Sequence, residues 1–215
     1  MVDQNPNVMK TGTTTVGIIC KDGIVFAADK RATAGYFIAN KKTDKIDFVT
    51  DDIAVTMAGT ASDAQLLIRI AQSEIRLRDI RIGRKSNVKE VANLFARMVY
   101  GNIRKMSMIP GISHFILGGK DSDGFHVYEI FADGTISEID DFISSGSGSV
   151  MAYGVLETLY KKDLSINEGV QLAAKSINAA IQRDIASGDG IDVVTVTKDG
   201  AKKIITKFFD RKIEI

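Results

Sequence analysis

The chain has 215 residues, of which 45% are hydrophobic and 26% charged, and its formal net charge is +1. This length allows one large domain with a substantial core, and the near-neutral charge argues against binding a nucleic-acid backbone as the main task. Cys20 is the only cysteine, so no disulfide can form within the chain, which fits a reducing cytoplasm.

No stretch approaches the roughly 18 consecutive apolar residues of a membrane-spanning helix. Residues 1–11 are polar and lack the apolar run of a secretory signal. We therefore expect a cytoplasmic protein that binds neither nucleic acid nor membranes.

The first stretch with a clear pattern is Gly12 followed by Thr13, Thr14 and Thr15 and then by Val16. Three β-branched threonines before apolar residues favour an extended strand that begins directly after a flexible glycine. A run of threonines alone is most often an exposed edge strand, so its meaning depends on the residues further along the chain.

A second strand, from Ile24 to Asp29, follows the turn residues at 21–23 and predicts a β-hairpin. Side chains alternate between the two faces of a strand, and on this basis we expect Asp29 to lie on the same side as Thr13. A carboxylate at the end of an apolar strand is either an exposed terminator or part of a buried ion pair.

Two more residues stand out before the first helix. Lys45 leads directly into the apolar strand that begins at Ile46, so its side chain could point inward. Gly59 ends the next strand, where a glycine suits a sharp bend or a backbone N–H that approaches a ligand closely.

Apolar periodicity predicts four helices, three of which have a capping box of Ser or Asn followed three residues later by Gln or Glu. The first is predicted to begin at Ser62, the second at Asn87 and the third at about Val150. The fourth follows Ser165 and is predicted to run to about Ala186.

The order of elements is strands, two helices, strands, two helices and strands. Two helical pairs with antiparallel sheets imply an α+β fold, a four-layer αββα sandwich, rather than a doubly wound parallel sheet. Neither His114 nor His126 has other metal-binding residues at ligand spacing, so no metal or cofactor is expected. The serine-rich segment 144–149 lacks the lysine and the spacing of a phosphate-binding P-loop.

Six segments, in the order and spacing seen here, resemble the β subunits of the archaeal 20S proteasome, which are N-terminal nucleophile hydrolases. They are Gly12-Thr13-Thr14-Thr15-Val16-Gly17, Asp29-Lys30-Arg31-Ala32-Thr33, Asp44-Lys45-Ile46, Met57-Ala58-Gly59, Gly146-Ser147-Gly148 with Ala152-Tyr153-Gly154-Val155-Leu156-Glu157, and Arg183-Asp184 with Ser187-Gly188. The resemblance covers the chain from Thr13 to about Phe209. It implies a threonine endopeptidase in which residues 1–12 are a propeptide and residues 13–215 a single catalytic domain.

The implied chemistry begins with self-cleavage of the bond between Gly12 and Thr13. A threonine hydroxyl is a weak nucleophile until a base takes its proton, and the free α-amine of the same residue is a base already in place. The pKa of such an amine is about 7.7 to 8.0, which suits general-base catalysis near neutral pH. While Gly12 is attached, that amine is an amide, so we expect the precursor to be inactive.

The resemblance also assigns roles to other residues. Lys45 would lower the pKa of the Thr13 hydroxyl, Asp29 would pair with Lys45, and the Gly59 backbone N–H would stabilise the oxyanion. Orientation and proton relay around the Thr13 amine would fall to Ser147, Asp184 and Ser187.

For the substrate, the resemblance implies that Thr33 holds the backbone. The pocket for the side chain before the cleaved bond would be lined by Ala32, Thr43, Met57 and Ala61. Because none of these residues is charged, we expect chymotrypsin-like cleavage, mainly after hydrophobic residues.

The family further implies a homo-heptameric β ring stacked on a second β ring. Rings of proteasome α subunits would cap this pair, and a regulatory ATPase would supply unfolded polypeptides. Two alternatives remain open: the peptidase of the bacterial two-component ATP-dependent protease, which also begins with two threonines, and a non-catalytic structural ring subunit.

Overall fold

The computed structural model describes residues 12–108 and 110–209, which contain twelve strands and four helices. Residues 1–11 of the predicted propeptide lie outside this range. The strands are β1 (Thr14–Cys20), β2 (Gly23–Asp29), β3 (Ala32–Ala34), β4 (Phe37–Asn40), β5 (Ile46–Thr50), β6 (Ile53–Gly59), β7 (Ser113–Asp121), β8 (Gly124–Ile130), β9 (Ile136–Ile139), β10 (Phe142–Gly146), β11 (Gly190–Thr197) and β12 (Gly200–Phe208). The helices are α1 (Ala61–Ile82), α2 (Val88–Ile103), α3 (Ser149–Leu159) and α4 (Ile166–Arg183).

Ten of the strands form two five-stranded sheets in which every neighbouring pair is antiparallel. One sheet has the order β10-β1-β2-β11-β12 and the other the order β5-β6-β7-β8-β9. The remaining two strands, β3 and β4, form a small hairpin of their own.

Three apolar clusters hold the layers together. On the outer face of one sheet, Phe95 of α2 meets Phe115 of β7 edge to face, with ring centroids 5.3 Å apart. Leu156 of α3 belongs to the cluster on the outer face of the other sheet, and Phe26 packs with Ile116 between the two sheets. The order of layers is therefore helices, sheet, sheet, helices, which confirms the predicted α+β sandwich.

The helix boundaries confirm two of the three predicted capping boxes. Asn87 and Ser165 each cap their helix by accepting a hydrogen bond from the backbone N–H three residues later. The predicted capping box at Ser62 is wrong, because α1 begins at Ala61 after Thr60, which makes no side-chain cap. Of the helices in the described part of the chain, none is long and apolar enough to cross a membrane.

The end of α4 also differs from the prediction. The helix stops at Arg183 rather than at about Ala186, and Asp184 follows it with an extended backbone. The Asp184 carboxylate accepts a hydrogen bond from the backbone N–H of Ala186, a local contact that competes with continuing the helix. The early end frees Asp184 to face the start of β1.

Candidate active site

Thr13 lies directly before β1, and its side chain is buried. Its backbone nitrogen, acylated by Gly12, donates a hydrogen bond to Ser147 Oγ at 3.3 Å. Its hydroxyl donates to the carbonyl oxygen of Gly12 at 2.7 Å. The hydroxyl of Thr13 is thus held against the peptide group that joins it to Gly12.

Asp29, the last residue of β2, forms a buried ion pair with Lys45 at 2.7 Å. The same oxygen accepts a hydrogen bond from the backbone N–H of Thr14 at 2.9 Å. The other oxygen accepts from the backbone N–H groups of Arg31 and Gly188, at 3.0 and 2.9 Å. Three backbone donors and one ammonium group therefore fix the carboxylate.

The strand register shows why the predicted face of Asp29 is wrong. In the pairing of β1 with β2, Thr15 lies opposite Ala28. The strands are antiparallel, so the same register places Asp29 opposite Thr14. Residues opposite each other share a face of the sheet, and Asp29 is therefore on the face of Thr14 and not on that of Thr13. The carboxylate still belongs to the site, because it bonds the backbone of Thr14 and reaches Lys45 beyond the end of β2.

Lys45 connects this carboxylate to the Gly12 carbonyl group, since its Nζ also lies 3.5 Å from the carbonyl oxygen of Gly12. Burial lowers the pKa of Lys45, and the negative charge of Asp29 opposes that effect. The result is a buried lysine whose charge depends on Asp29 and which lies beside the Gly12 carbonyl group and lines the same cavity as Thr13.

A hydrogen-bond network on the other side of Thr13 has a fixed direction. The hydroxyls of Ser147 and Ser187 each lie 2.6 Å from Asp184 Oδ2, and an ionised carboxylate can only accept, so both hydroxyls donate to it. Each hydroxyl has one proton. The Ser147 oxygen therefore accepts from Thr13 N, and the Ser187 oxygen accepts from Thr14 Oγ1 at 2.6 Å.

Two glycines allow the backbone to approach closely here. Gly146, at the end of β10, has φ +98°, and a Cβ atom there would stand 2.1 Å from the carbonyl oxygen of Thr13. Gly59 has φ +104°, and a Cβ atom there would stand 2.2 Å from the carbonyl oxygen of Ile112. Neither position accepts a side chain without displacing its neighbours.

A small cavity of about 60 Å³ opens beside the nucleophile. Its walls include Thr13, Lys45 and Gly59, and all five residues predicted to bind substrate also line it. The complete lining is Gly12, Thr13, Ala32, Thr33, Thr43, Lys45, Met57, Ala58, Gly59, Ala61 and Ala64. Apart from Lys45, these residues are uncharged.

Comparison with known proteins agrees with this arrangement. The family model for proteasome subunits matches residues 9–196 of the chain. The chain belongs to the proteasome subunit family. Relatives named proteasome subunit beta include one from Archaeoglobus profundus, 45% identical over 88% of this chain and 86% of the relative, and one from Ferroglobus placidus, 46% identical over 87% of each. A third, from Methanohalophilus mahii, is 40% identical over 94% of this chain and 95% of its own length.

Membership of the proteasome family confirms the predicted recognition, the predicted proteolytic β subunit and the predicted threonine endopeptidase. The structure brings every predicted site residue to Thr13, to the two networks around it or to the adjoining cavity. The individual roles of these residues stay predictions. Within residues 12–108 and 110–209, no three His, Cys, Asp or Glu side chains lie close enough together to hold a metal ion.

Arg31 is a structural part of this proteasome-family site that the sequence did not reveal. Its buried guanidinium contacts Asp189 through Nε at 2.7 Å and through Nη2 at 3.2 Å, and it donates to the carbonyl oxygen of Ile185 at 2.7 Å. It packs against Gly188, where a Cβ atom would stand 2.4 Å from Nη2. Arg31 therefore fixes the loop that carries Ser187. The only sequence signal was its place two residues after Asp29.

Proposed function

We propose that this chain is made as an inactive precursor that cuts its own bond between Gly12 and Thr13 and then hydrolyses peptide bonds with Thr13 as nucleophile. Residues 1–12 would be the propeptide and residues 13–215 the catalytic domain. The observation that supports this most strongly is the 2.7 Å hydrogen bond from Thr13 Oγ1 to the Gly12 carbonyl oxygen, with Lys45 Nζ 3.5 Å from the same oxygen.

In the self-cleavage step, Thr13 Oγ1 attacks the carbonyl carbon of Gly12. The C–N bond breaks as the C–O bond forms, and the Thr13 nitrogen takes up the proton that the hydroxyl loses. Water then hydrolyses the ester, which releases the Gly12 carboxyl group and leaves a free α-amine on Thr13. A lysine beside the carbonyl oxygen stabilises the negative charge that develops there.

In the mature enzyme, the Thr13 amine would take the hydroxyl proton as the oxygen attacks a substrate carbonyl, and the resulting acyl-ester would be hydrolysed by water. The Ser147 oxygen accepts from the nitrogen of Thr13, and Asp184 holds Ser147 in that orientation. The network therefore aims the nitrogen, and Lys45 with Asp29 supplies positive charge beside the hydroxyl. The Gly59 backbone N–H is the proposed oxyanion donor, since Gly59 lines the same cavity.

The cavity supports a preference for hydrophobic side chains before the cleaved bond. Ala32, Met57 and Ala61 give it apolar walls, while Thr33 and Thr43 add only hydroxyl groups. Thr33 Oγ1 accepts a hydrogen bond from the backbone N–H of Gly12 at 3.0 Å. The propeptide backbone thus already uses a contact that we assign to substrate.

We extend the proposal to assembly in the cytoplasm. The β subunits would form a homo-heptameric ring stacked on a second one, capped by α-subunit rings, with a regulatory ATPase that feeds in unfolded polypeptides. Membership of the family supports assembly with α subunits. Large exposed apolar side chains on two helices, Leu77 and Ile80 of α1 and Val150 and Leu159 of α3, would then be covered by neighbours.

Intact-mass spectrometry after co-assembly with the α partner tests the proposal. We expect the wild-type chain to lose the mass of residues 1–12 and to hydrolyse fluorogenic peptides. Thr13→Ala should keep its full mass and be inactive. Thr15→Val is the matched control, because Thr15 lies two residues further along, in β1, and its hydroxyl makes only a 3.5 Å contact with the Ser145 carbonyl oxygen. Full-length wild-type chains in assembled particles would instead favour a non-catalytic structural subunit.

A further inference from the structure

Lys30 is a buried charged residue to which the proposed reaction gives no role. It directly follows Asp29, and only 1% of its surface is exposed. Its Nζ lies 2.5 Å from Asp192 and 2.7 Å from Asp44. Asp192 is equally buried and also accepts a hydrogen bond from Thr206 Oγ1 at 2.7 Å. Lysine is almost never buried to this extent unless it is paired.

Stability alone does not account for this pair, because a buried ion pair often stabilises a fold no more than apolar residues of the same size would. Burial by itself lowers the pKa of Lys30. The hydrogen bonds with Asp192 and Asp44 raise this pKa by more than burial lowers it, so the net shift is upward. Lys30 is therefore an ammonium group held by two carboxylates. The positions of those carboxylates in the chain indicate which segments Lys30 holds together.

Lys30 is bonded to the segments that carry both members of the Asp29–Lys45 ion pair. Its backbone N–H donates to the Gly188 carbonyl oxygen at 3.1 Å, beside the hydrogen bond that Gly188 N makes to Asp29. Its own carbonyl oxygen accepts from Thr43 N at 3.0 Å. Its ammonium group holds Asp44, the residue immediately before Lys45.

Resting on the function proposed above, we infer that Lys30 is a positioning residue that binds Asp44 and thereby fixes the segment that delivers Lys45 to Asp29 and Thr13. Asp192 anchors the ammonium group from the side of β11. Beyond this segment, the backbone of Lys45 is held by a 3.0 Å hydrogen bond from Met57 N. The Lys30–Asp44 contact thus gives a buried side-chain anchor to the end of the segment that lies before β5.

Asp44→Asn tests this inference with little risk to folding, since the Asp44 side chain is 62% exposed and Lys30 keeps Asp192 as its partner. The asparagine removes the negative charge from this contact, although its amide oxygen can still accept a hydrogen bond, and Lys30→Met removes the contact altogether. The matched control is Lys203→Met, because Lys203 also faces Asp44 and Asp192, at 3.4 and 3.5 Å, but lies nearer to solvent. All variants are assayed as assembled particles with a fluorogenic peptide that ends in leucine.

We expect Asp44→Asn to lower kcat roughly ten-fold while KM stays within about two-fold, because a small displacement of a catalytic group affects the reaction more than binding. The double variant with Lys30→Met should be no slower than Lys30→Met alone, since both substitutions act on the same contact. Lys203→Met should keep the wild-type kcat.

A wild-type kcat in Asp44→Asn overturns the inference. So does a loss of kcat in Lys203→Met equal to that in Asp44→Asn, because that result indicates general destabilisation. If Lys30→Met does not assemble, the comparison of Asp44→Asn with Lys203→Met decides alone. Thr13→Ala separates this inference from the proposed function: residual wild-type activity in that variant would refute the function, whereas an inactive Thr13→Ala beside a fully active Asp44→Asn would refute only the role of Lys30.

Discussion

Lys45 Nζ lies 2.7 Å from Asp29 Oδ1, and the two side chains are only 4% and 0% exposed. The two partners are not equivalent, because Asp29 keeps three backbone N–H donors if Lys45 is removed. An asparagine in place of Asp29 would instead turn its N–H₂ group toward the donors of one of the two carboxylate oxygens. The protein should therefore tolerate the loss of Lys45 better than the loss of the Asp29 carboxylate.

From this asymmetry we predict that Asp29→Asn destabilises the protein more than Lys45→Met does. Removing one partner of a buried pair typically costs about 3–5 kcal/mol, and we expect Lys45→Met at the lower end of that range. Both variants should lose peptidase activity. Thermal unfolding compares them, with Lys120→Met as the control, since Lys120 makes only solvent-accessible contacts, a 3.4 Å pair with Asp52 and a 2.6 Å hydrogen bond to the Lys198 carbonyl oxygen. A larger loss of stability in Lys45→Met would contradict the proposed role of the backbone donors.

The Asp184 network leads to a prediction about pH. A nearby negative charge raises the pKa of an amine, so replacing Asp184 with asparagine should lower the pKa of the Thr13 α-amine in the mature enzyme. The acid limb of kcat/KM against pH should then move to lower pH by roughly half a unit, and kcat should fall because Ser147 is held less firmly.

The pH profile of Asp51→Asn provides the control for this experiment, because Asp51 lies in the turn between β5 and β6, at the end of β6 away from Gly59. Its acid limb should coincide with that of the wild type. If Asp184→Asn shifts the limb upward, or leaves it in place while kcat falls, the carboxylate does not act on the amine.

Local signals in the sequence were sufficient for much of this structure. The capping boxes at Asn87 and Ser165 use side chains within three residues of the backbone groups they bind, so their effect can be read along the chain. The hairpin of β1 and β2 could also be predicted locally, because its turn residues directly follow β1 and directly precede β2. The start of α1 at Ala61 has no such signal, because no side chain caps it.

Elements that depend on distant partners were harder to predict. The strand β10 carries two serines and is held by pairing with β1, which lies more than a hundred residues away, so its own residues are typical of a loop. The face of Asp29 depends on a register that alternation within one strand does not supply. Recognition of the site itself came from the family resemblance, since spacing alone does not bring Asp184 to Thr13.

Glu90 provides a prediction about stability at acidic pH. Hydrogen bonding to Arg84, together with the α2 capping box and Arg78, lowers the pKa of Glu90 from 4.5 to about 2. A carboxyl group whose pKa is lowered by folding stabilises the protein above pH 4.5, and this contribution is lost as the pH falls from 4.5 toward 2. Because both arginines are substantially exposed, we expect only about 1 kcal/mol.

The comparison of wild type with Glu90→Gln measures this contribution. The variant should unfold at lower denaturant concentration than the wild type at pH 7, and the difference should shrink as the pH approaches 2. Glu157→Gln, on the exposed face of α3, serves as the control and should show no such trend. A difference that persists unchanged at acidic pH would mean that the shape of Glu90, and not its charge, is what stabilises the start of α2.

The cavity wall offers a direct test of cleavage preference at Ala61. This residue is exposed, lines the cavity and is the first residue of α1, where an aspartate interacts favourably with the helix dipole, so Ala61→Asp should fold. A carboxylate there should raise kcat/KM for peptides ending in arginine by roughly ten-fold and lower it for those ending in leucine. Ala61→Asn adds similar volume without charge and should therefore not raise the ratio of arginine to leucine cleavage. If Ala61→Asp leaves the ratio of arginine to leucine cleavage as in the wild type, this cavity does not receive the side chain before the cleaved bond.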